Sequence, residues 1–267
     1  MKKIHGKNVL ITGGAKGMGK AYVDKAIEEN AANIIIWDID ETALNAIAKE
    51  YENAISNIHT FVVDVTNTSL IYEVADKVIQ DIGAIHLLIN NAGIVISEDF
   101  IEHSKEKIDL TMQINTIAPM HIARALLPAM VELDEAHIVN IASGAAYMYC
   151  PKIVSYCASK WAMYSWSQGL RVELEQSHPQ IKVTTVIPGH IDTGMFDGAH
   201  SALMPAISAE TMVAQVWRGI KKNKATVTCP KSLTTVPFLR GVLGTKGWDI
   251  FANITGINAF MSGSRPK

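Results

Sequence analysis

Six short runs of β-branched and apolar residues recur along this chain, at Asn8–Thr12, Asn33–Asp38, His59–Val63, His86–Asn90, His137–Ile141 and Lys182–Ile187. Between them lie helix-length stretches at Gly17–Asn30, Glu41–Tyr51, Ser69–Asp81, Lys105–Val131 and Ser155–Ser177. Runs that stay apolar at consecutive positions suit strands buried on both faces. Parallel neighbours need a crossover, and a helical crossover is right-handed. The alternation therefore predicts an α/β fold, a parallel sheet with helices on both faces and ligands bound beyond the carboxyl ends of its strands.

No low-complexity linker, charge block or repeat divides the 267 residues, so the whole of 1–267 reads as one domain. After Pro188-Gly189 the pattern loosens, and residues 189–208 read as a loop over the strand ends that faces the substrate. Ala209–Lys222 reads as a helix, and the extension from about 230 to 267 is apolar but irregular. With 48% hydrophobic residues and a net charge of −2, the chain can bury a large core and lacks the basic excess of a nucleic-acid binder. A phosphate-bearing ligand must then be held by local geometry. Cys150, Cys157 and Cys229 include no CxxC pair, and the nine histidines do not cluster, which points to neither a disulfide framework nor a metal site. A cytoplasmic setting fits this cysteine usage. The start has no signal-peptide pattern, and no uncharged apolar run reaches membrane-spanning length.

The segment "VLITGGAKGMGKAY" ends the first strand and opens a helix, spacing Gly13, Gly17 and Gly19. Gly13 suits a tight turn, Gly17 a close approach of backbone to a pyrophosphate, and Gly19 the packing of helix on sheet. The N–H groups of the helix start then face the phosphates. The second strand ends at Asp38, whose carboxylate can accept from the adenosine ribose hydroxyls and repel a 2′-phosphate. NAD is therefore favoured, while the cationic Lys16 keeps NADP open. A helix cap before Glu41 is the structural alternative for Asp38.

Taken with "NNAG" at Asn90–Gly93, Asn115 in a long helix, Ser143 after the fifth strand, Tyr156-x-x-x-Lys160 and Pro188-Gly189, this order resembles the short-chain dehydrogenase/reductase family. The resemblance runs from about Lys7 to Thr193. It implies a single-domain Rossmann fold of about seven strands in the order 3-2-1-4-5-6-7, and a homodimer or homotetramer. Asn115, Ser143, Tyr156 and Lys160 would be catalytic. A free phenol titrates near ~10, and a neighbouring ammonium and a positive nicotinamide ring both favour its ionisation. Tyr156 would act as general acid/base on the carbonyl or alcohol oxygen, and Ser143 would hydrogen-bond that oxygen. Lys160 would hold the nicotinamide ribose, and Asn115 would bend its helix and hold a proton-relaying water through its backbone carbonyl. The cofactor contacts implied are Gly13, Ala15, Lys16, Gly17, Met18, Gly19, Asp38 with Ile39, Asp64 with Val65, Asn91, Ala92, Gly93, Tyr156, Lys160, Ile187, Pro188, Gly189, Ile191 and Thr193. A strand-end turn is the alternative for Asp64.

Substrate contacts must lie beside Tyr156 and Ser143. Val95, Ala145, Tyr149, Met195, Phe196 and Leu203 are the candidates, in stretches that also hold Tyr147, Met148 and Met204. No arginine is available there to clamp a carboxylate or phosphate, which favours a lipophilic alcohol or ketone. Packing of the loop is the alternative for each of these residues. The extension, with its Asn258-to-Arg265 ending, resembles the 17-beta-hydroxysteroid and retinol dehydrogenase branch, implying steroid-, retinoid- or other lipid-like substrates. Trp248, Phe251 and Phe260 among Arg240, Lys246 and Asp249 suit packing over the pocket or across a subunit interface better than a membrane surface. Trp161, Tyr164 and Trp166, read as exposed, suit a subunit contact or core packing. An NADPH-dependent 3-oxoacyl-thioester reductase, a nucleotide-sugar epimerase and a non-catalytic nicotinamide-binding regulator are the rival readings. Asp38 argues against the first, the glycine spacing against the second and the intact catalytic residues against the third.

Overall fold

The computed structural model describes residues 1–195 and 206–261. Its strands are β1 (Asn8–Thr12), β2 (Asn33–Asp38), β3 (Asn57–Val62), β4 (Leu87–Asn90), β5 (Ala136–Ile141), β6 (Ile181–Pro188) and β7 (Thr226–Cys229). They form one sheet in the order β3-β2-β1-β4-β5-β6-β7, every pair parallel. The order reverses between β1 and β4, and a crevice opens there at the carboxyl ends.

Alternation along each strand divides the core into two layers. Val9, Ile11, Ile34 and Ile36 face Tyr22 of α1 (Gly17–Glu28) and Trp217 of α7 (Ala209–Lys221). Leu10, Ile35 and Trp37 face the other way, toward α3 (Thr68–Asp81), α5 (Ala118–Met130) and α6 (Val154–Ser177). The branched side chains of these strands have essentially no exposure, so the continuous apolar runs follow from burial on both faces.

Helix starts show what is reserved for ligand. Asp40 caps α2 (Glu41–Glu50), Asn67 caps α3, Ser104 caps α4 (Lys105–Met112) and Ser208 caps α7, each accepting a backbone N–H. α1 has no side-chain cap, leaving its first N–H groups turned toward the crevice. The cap of α2 is thus Asp40, not Asp38.

The stretch Lys105–Val131 is helical, with a π-helical turn at Gln113–Ile117, around Asn115, dividing it into α4 and α5. The extension is not irregular. A short 3₁₀ segment (Lys231–Thr235) leads into α8 (Val236–Ile254), kinked at Gly244, and a compact turn follows to Met261. Its helical period was masked because Phe238, Val242, Ile250 and Ile254 stay exposed while Trp248 and Ala252 are buried. Arg240 fastens α8 to the body, its guanidinium 5.0 Å from the Tyr149 ring centre, 5.2 Å from Trp161 and 5.8 Å from Trp248. It also donates to the Tyr147 carbonyl at 2.7 Å. Of the three aromatics read as exposed on α6, only Trp161 is; Tyr164 and Trp166 are half-buried in the core.

Candidate active site

A cleft of about 550 Å³ runs along the carboxyl ends of the strands. Its floor is the turn after β1. Gly13 and Gly17 both have positive φ, at 62° and 53°. A Cβ on Gly19 would lie 1.9 Å from the Gly13 carbonyl oxygen, so α1 comes this close to the turn only because residue 19 has no side chain. The "NNAG" segment braces the turn: the Asn91 side-chain amide donates to the carbonyls of Thr12 and Gly13, at 3.0 and 3.1 Å. Thr12 Oγ1 in turn accepts the N–H groups of Asn91 and Ala92.

At the adenosine end, Asp38 accepts the Ala15 N–H at 3.0 Å and the Asp40 N–H at 3.1 Å. Its carboxylate is therefore pinned at the rim of the cleft. Lys16 reaches Asp40 at 2.5 Å, and that hydrogen bond raises the ammonium and lowers the carboxylate from their ordinary values. Its charge has a partner already in place. Asp64 folds back on Thr66, accepting from its N–H at 2.9 Å and its hydroxyl at 2.7 Å. The turn foreseen as an alternative is formed, and Asp64 lines the cleft as well.

The reaction centre sits where β5, α6 and the π-turn converge. Asn115 is wholly buried, and its amide pairs with the backbone of Ile94 as a strand would, accepting its N–H at 2.9 Å and donating to its carbonyl at 2.9 Å. It also donates to Ser159 at 3.0 Å. The local widening to a π-turn lets a side chain from mid-helix satisfy a loop backbone. Lys160 donates to the Ile141 carbonyl at 3.0 Å and lies 5.7 Å from the centre of the Tyr156 ring. It reaches the cleft beside Gly93, where a Cβ would stand 3.5 Å from its Nζ. Burial pushes the Lys160 ammonium down to about 8. Burial pushes the Tyr156 phenol up, and its hydrogen bond with Ser143 opposes this. Ser143 also accepts the Ala145 N–H at 3.1 Å, which fixes its hydroxyl oxygen against Tyr156.

In the protein without a cofactor, burial is the largest influence on both side chains, raising the phenol and lowering the ammonium. The uncapped α1 start, the glycine floor and the braced NNAG turn fit a dinucleotide. When bound, NAD(P) supplies the hydride and a positive ring next to the phenol. Ser143, Tyr156 and Lys160 line the cleft where that ring would lie.

The cleft brings together Gly13, Lys16, Gly17, Met18, Gly19, Asp38, Ile39, Asp64, Val65, Asn91, Ala92, Gly93, Ser143, Tyr156, Lys160, Pro188, Gly189, Ile191 and Thr193. Ala15 lies beneath, contributing its N–H to Asp38. Ile187 is wholly buried in the core cluster around Ala142 and Tyr147 and does not line the cleft. The cleft is also lined by Trp37, Ile94, Ile114 and Ile141, which sequence reasoning missed. Ile94 and Ile141 act through backbone atoms, and no side-chain signal could have found them.

A second, apolar cavity of about 40 Å³ meets the cleft at Ser143 and Tyr156. Ala145 and Met148 line it, as expected, while Val95 and Met195 stand on the cleft side. Tyr149 does not: it turns outward, donating to Asp249 at 2.9 Å with its ring against Arg240. Phe196, Leu203 and Met204 lie outside the described residues. The remaining wall includes Cys150 and His190, from the stretches expected to face the substrate, Phe260, from the segment expected to pack over the pocket, and Ile153 and Ile257, which were not foreseen. The extension thus packs over the pocket. Among the described residues no group of His, Cys, Asp or Glu could hold a metal ion, and no helix is long and apolar enough to cross a membrane.

A doubly wound parallel sheet, a glycine-floored cleft and a Ser-Tyr-Lys centre at its nicotinamide end define a dinucleotide-dependent oxidoreductase. The chain belongs to the short-chain dehydrogenase family, whose model, described as short chain dehydrogenase, matches residues 7–203. Its activity is thus NAD(P)-dependent oxidoreduction between CH–OH and C=O groups. It is 31% identical to estradiol 17-beta-dehydrogenase 11 of Homo sapiens over 245 residues, 91% of this chain and 81% of that one. Identity to epidermal retinol dehydrogenase 2 of Homo sapiens is also 31%, over 267 residues covering 98% of this chain and 86% of that one. Among solved structures, a short chain dehydrogenase/reductase from Burkholderia phymatum in complex with NAD superposes with a TM-score of 0.83 at 22% identity, covering 100% of this chain and 99% of that one. A short chain dehydrogenase from Burkholderia cenocepacia J2315 in complex with NADP gives 0.78 at 24% identity, covering 94% and 98%.

Proposed function

We propose that the protein uses NAD(H) to interconvert a hydrophobic secondary alcohol and its ketone. The observation that carries this reading is the junction at Ser143 and Tyr156 between the dinucleotide cleft and a cavity lined almost wholly by apolar groups. A carbinol carbon at that junction presents its oxygen to both hydroxyls and its hydrogen to the cleft, while its substituents meet apolar surface. The names of the relatives, one for estradiol and one for retinol, support a lipid-like substrate. NAD is favoured because Asp38 is fixed by two backbone N–H groups where a 2′-phosphate would come. The pairing of Lys16 with Asp40 supports the same choice.

In reduction, Tyr156 gives its proton to the carbonyl oxygen as hydride reaches carbon; in oxidation the steps reverse. Ser143 stabilises the charge that develops on that oxygen. The test is to follow nicotinamide absorbance with purified protein, NADH or NADPH, and a panel of lipophilic ketones beside short polar ones. Faster turnover of lipophilic ketones with NADH is expected. Preference for NADPH, or for polar ketones, would overturn the corresponding half of the reading.

A further inference from the structure

The established family activity leaves open what bounds the substrate, and the wall opposite Tyr156 is built by the far end of the chain. After α8, Gly256 takes a positive φ of 76° and the backbone closes into a compact turn, with Ala259 N–H donating to Gly256 O at 3.1 Å and Phe260 N–H to Ile257 O at 3.2 Å. Ile257, Phe260 and Met261 are buried, although they lie within a few residues of the end of the described chain. Phe260 and Met261 pack with Cys150, Ile153, Tyr156 and Cys157, and the Phe260 ring meets His190 edge-on at 5.6 Å. Cys150 clasps both ends of the turn: its thiol donates to the Ile257 carbonyl at 3.5 Å, and its sulfur accepts the Met261 N–H.

We propose that this clasped turn sets substrate size: Ile257 and Phe260 limit the carbinol substituent that enters the apolar cavity to a methyl- or ethyl-sized group. The inference rests on the proposed alcohol/ketone activity. The cavity holds about 40 Å³, against roughly 10–15 Å³ for one water, which is room for a few heavy atoms. The larger, lipophilic arm of the substrate then lies on the side of Val95 and Met195, at the cleft. Phe260 is the principal determinant, and Cys150 is a positioning residue that keeps it in place.

The test uses the full chain with NADH and ketones sharing one long alkyl arm, the second substituent growing from methyl through ethyl and propyl to butyl. For wild type, kcat/KM is expected to fall at least about tenfold between methyl and butyl, within what one or two methylenes decide in a tight pocket. Phe260→Ala is expected to flatten the series, narrowing the methyl-to-butyl ratio of kcat/KM by about tenfold. Phe260→Leu should fall between, which separates a size effect from misfolding. A flat wild-type series, or an unchanged slope in Phe260→Ala, would overturn the inference. Turnover of none of these ketones by wild type would instead count against the proposed activity. In that case iodoacetamide labelling of Cys150, resolved by peptide mass, still decides: faster labelling in Phe260→Ala supports the wall, and an unchanged rate contradicts it.

Discussion

Lys160 stands 5.7 Å from the centre of the Tyr156 ring, with its ammonium held by the Ile141 carbonyl at 3.0 Å and by no carboxylate among the described residues. A buried cation without an anionic partner is costly to fold. In the proposed reaction that cost is met where a charge beside the phenol is needed.

That cost has a pH signature. Burial holds the folded Lys160 at about 8, against ~10.4 for an unfolded lysine. Between those values the unfolded chain binds more protons than the folded one, so stability rises with pH across that window and is least favoured by this residue below it. Denaturation of the cofactor-free protein should show a gain on the order of 2 kcal/mol between pH 8 and 10 that Lys160→Met lacks. Tyr156, raised by burial, acts oppositely above its ordinary value near ~10. Parallel profiles for wild type and Lys160→Met would show that Lys160 carries no such shift.

Asn115 is expected to be as important for the fold as for the reaction. Asn115→Ala takes the partner from both backbone groups of the half-buried Ile94, and a loss of about 1–3 kcal/mol is expected from urea unfolding. A loss under about 0.5 kcal/mol, the range of an ordinary surface change, would contradict the role given to that pairing.

Cofactor choice turns on two carboxylates. Asp38→Asn should weaken NAD and strengthen NADP, shifting their affinity ratio by about tenfold or more. Asp40→Asn keeps an N-cap for α2 but releases Lys16, and should favour NADP by about two- to fivefold. Titration monitored by Trp37, which lines the cleft, reads both. An unmoved ratio in Asp38→Asn would remove the basis for assigning NAD.

The glycine turn offers a paired test. Gly19→Ala places a methyl 1.9 Å from the Gly13 carbonyl and should abolish dinucleotide binding or folding. Gly169→Ala, on an open face of α6 with nothing within 4 Å, should stabilise by about 0.5–1 kcal/mol. Thermal unfolding and cofactor titration of both variants separate crowding at the floor from a general effect of adding a side chain.

What could be read from sequence was what depends on local spacing. The strands announce themselves because consecutive residues such as Val9, Leu10 and Ile11 are buried on alternate faces. Tyr156 and Lys160 share a helix face by period alone, and the glycines declare the turn. The bend at Asn115 was implied by resemblance alone, because its cause is a bond between Asn115 and Ile94, 21 residues away. Helix α8 was obscured because its docking is carried by one arginine among three rings, so most of its apolar residues follow no inward stripe. Tyr149 was expected in the pocket through its neighbour Met148, yet at a turn adjacent side chains point opposite ways. Packing of the Phe260 segment over the pocket was one of the readings of its aromatics, but the place of Ile257 depends on a contact with Cys150 across 107 residues that no local pattern encodes.

The central claim is that Tyr156 carries the proton while hydride passes in the cleft beside it. Steady-state turnover of one lipophilic ketone by wild type and Tyr156→Phe, with the dissociation constant of the cofactor measured on both, tests it most directly. A fall in kcat of ~10²–10⁴, with cofactor affinity kept within about threefold, is the predicted result. Turnover by Tyr156→Phe at the wild-type rate would contradict it.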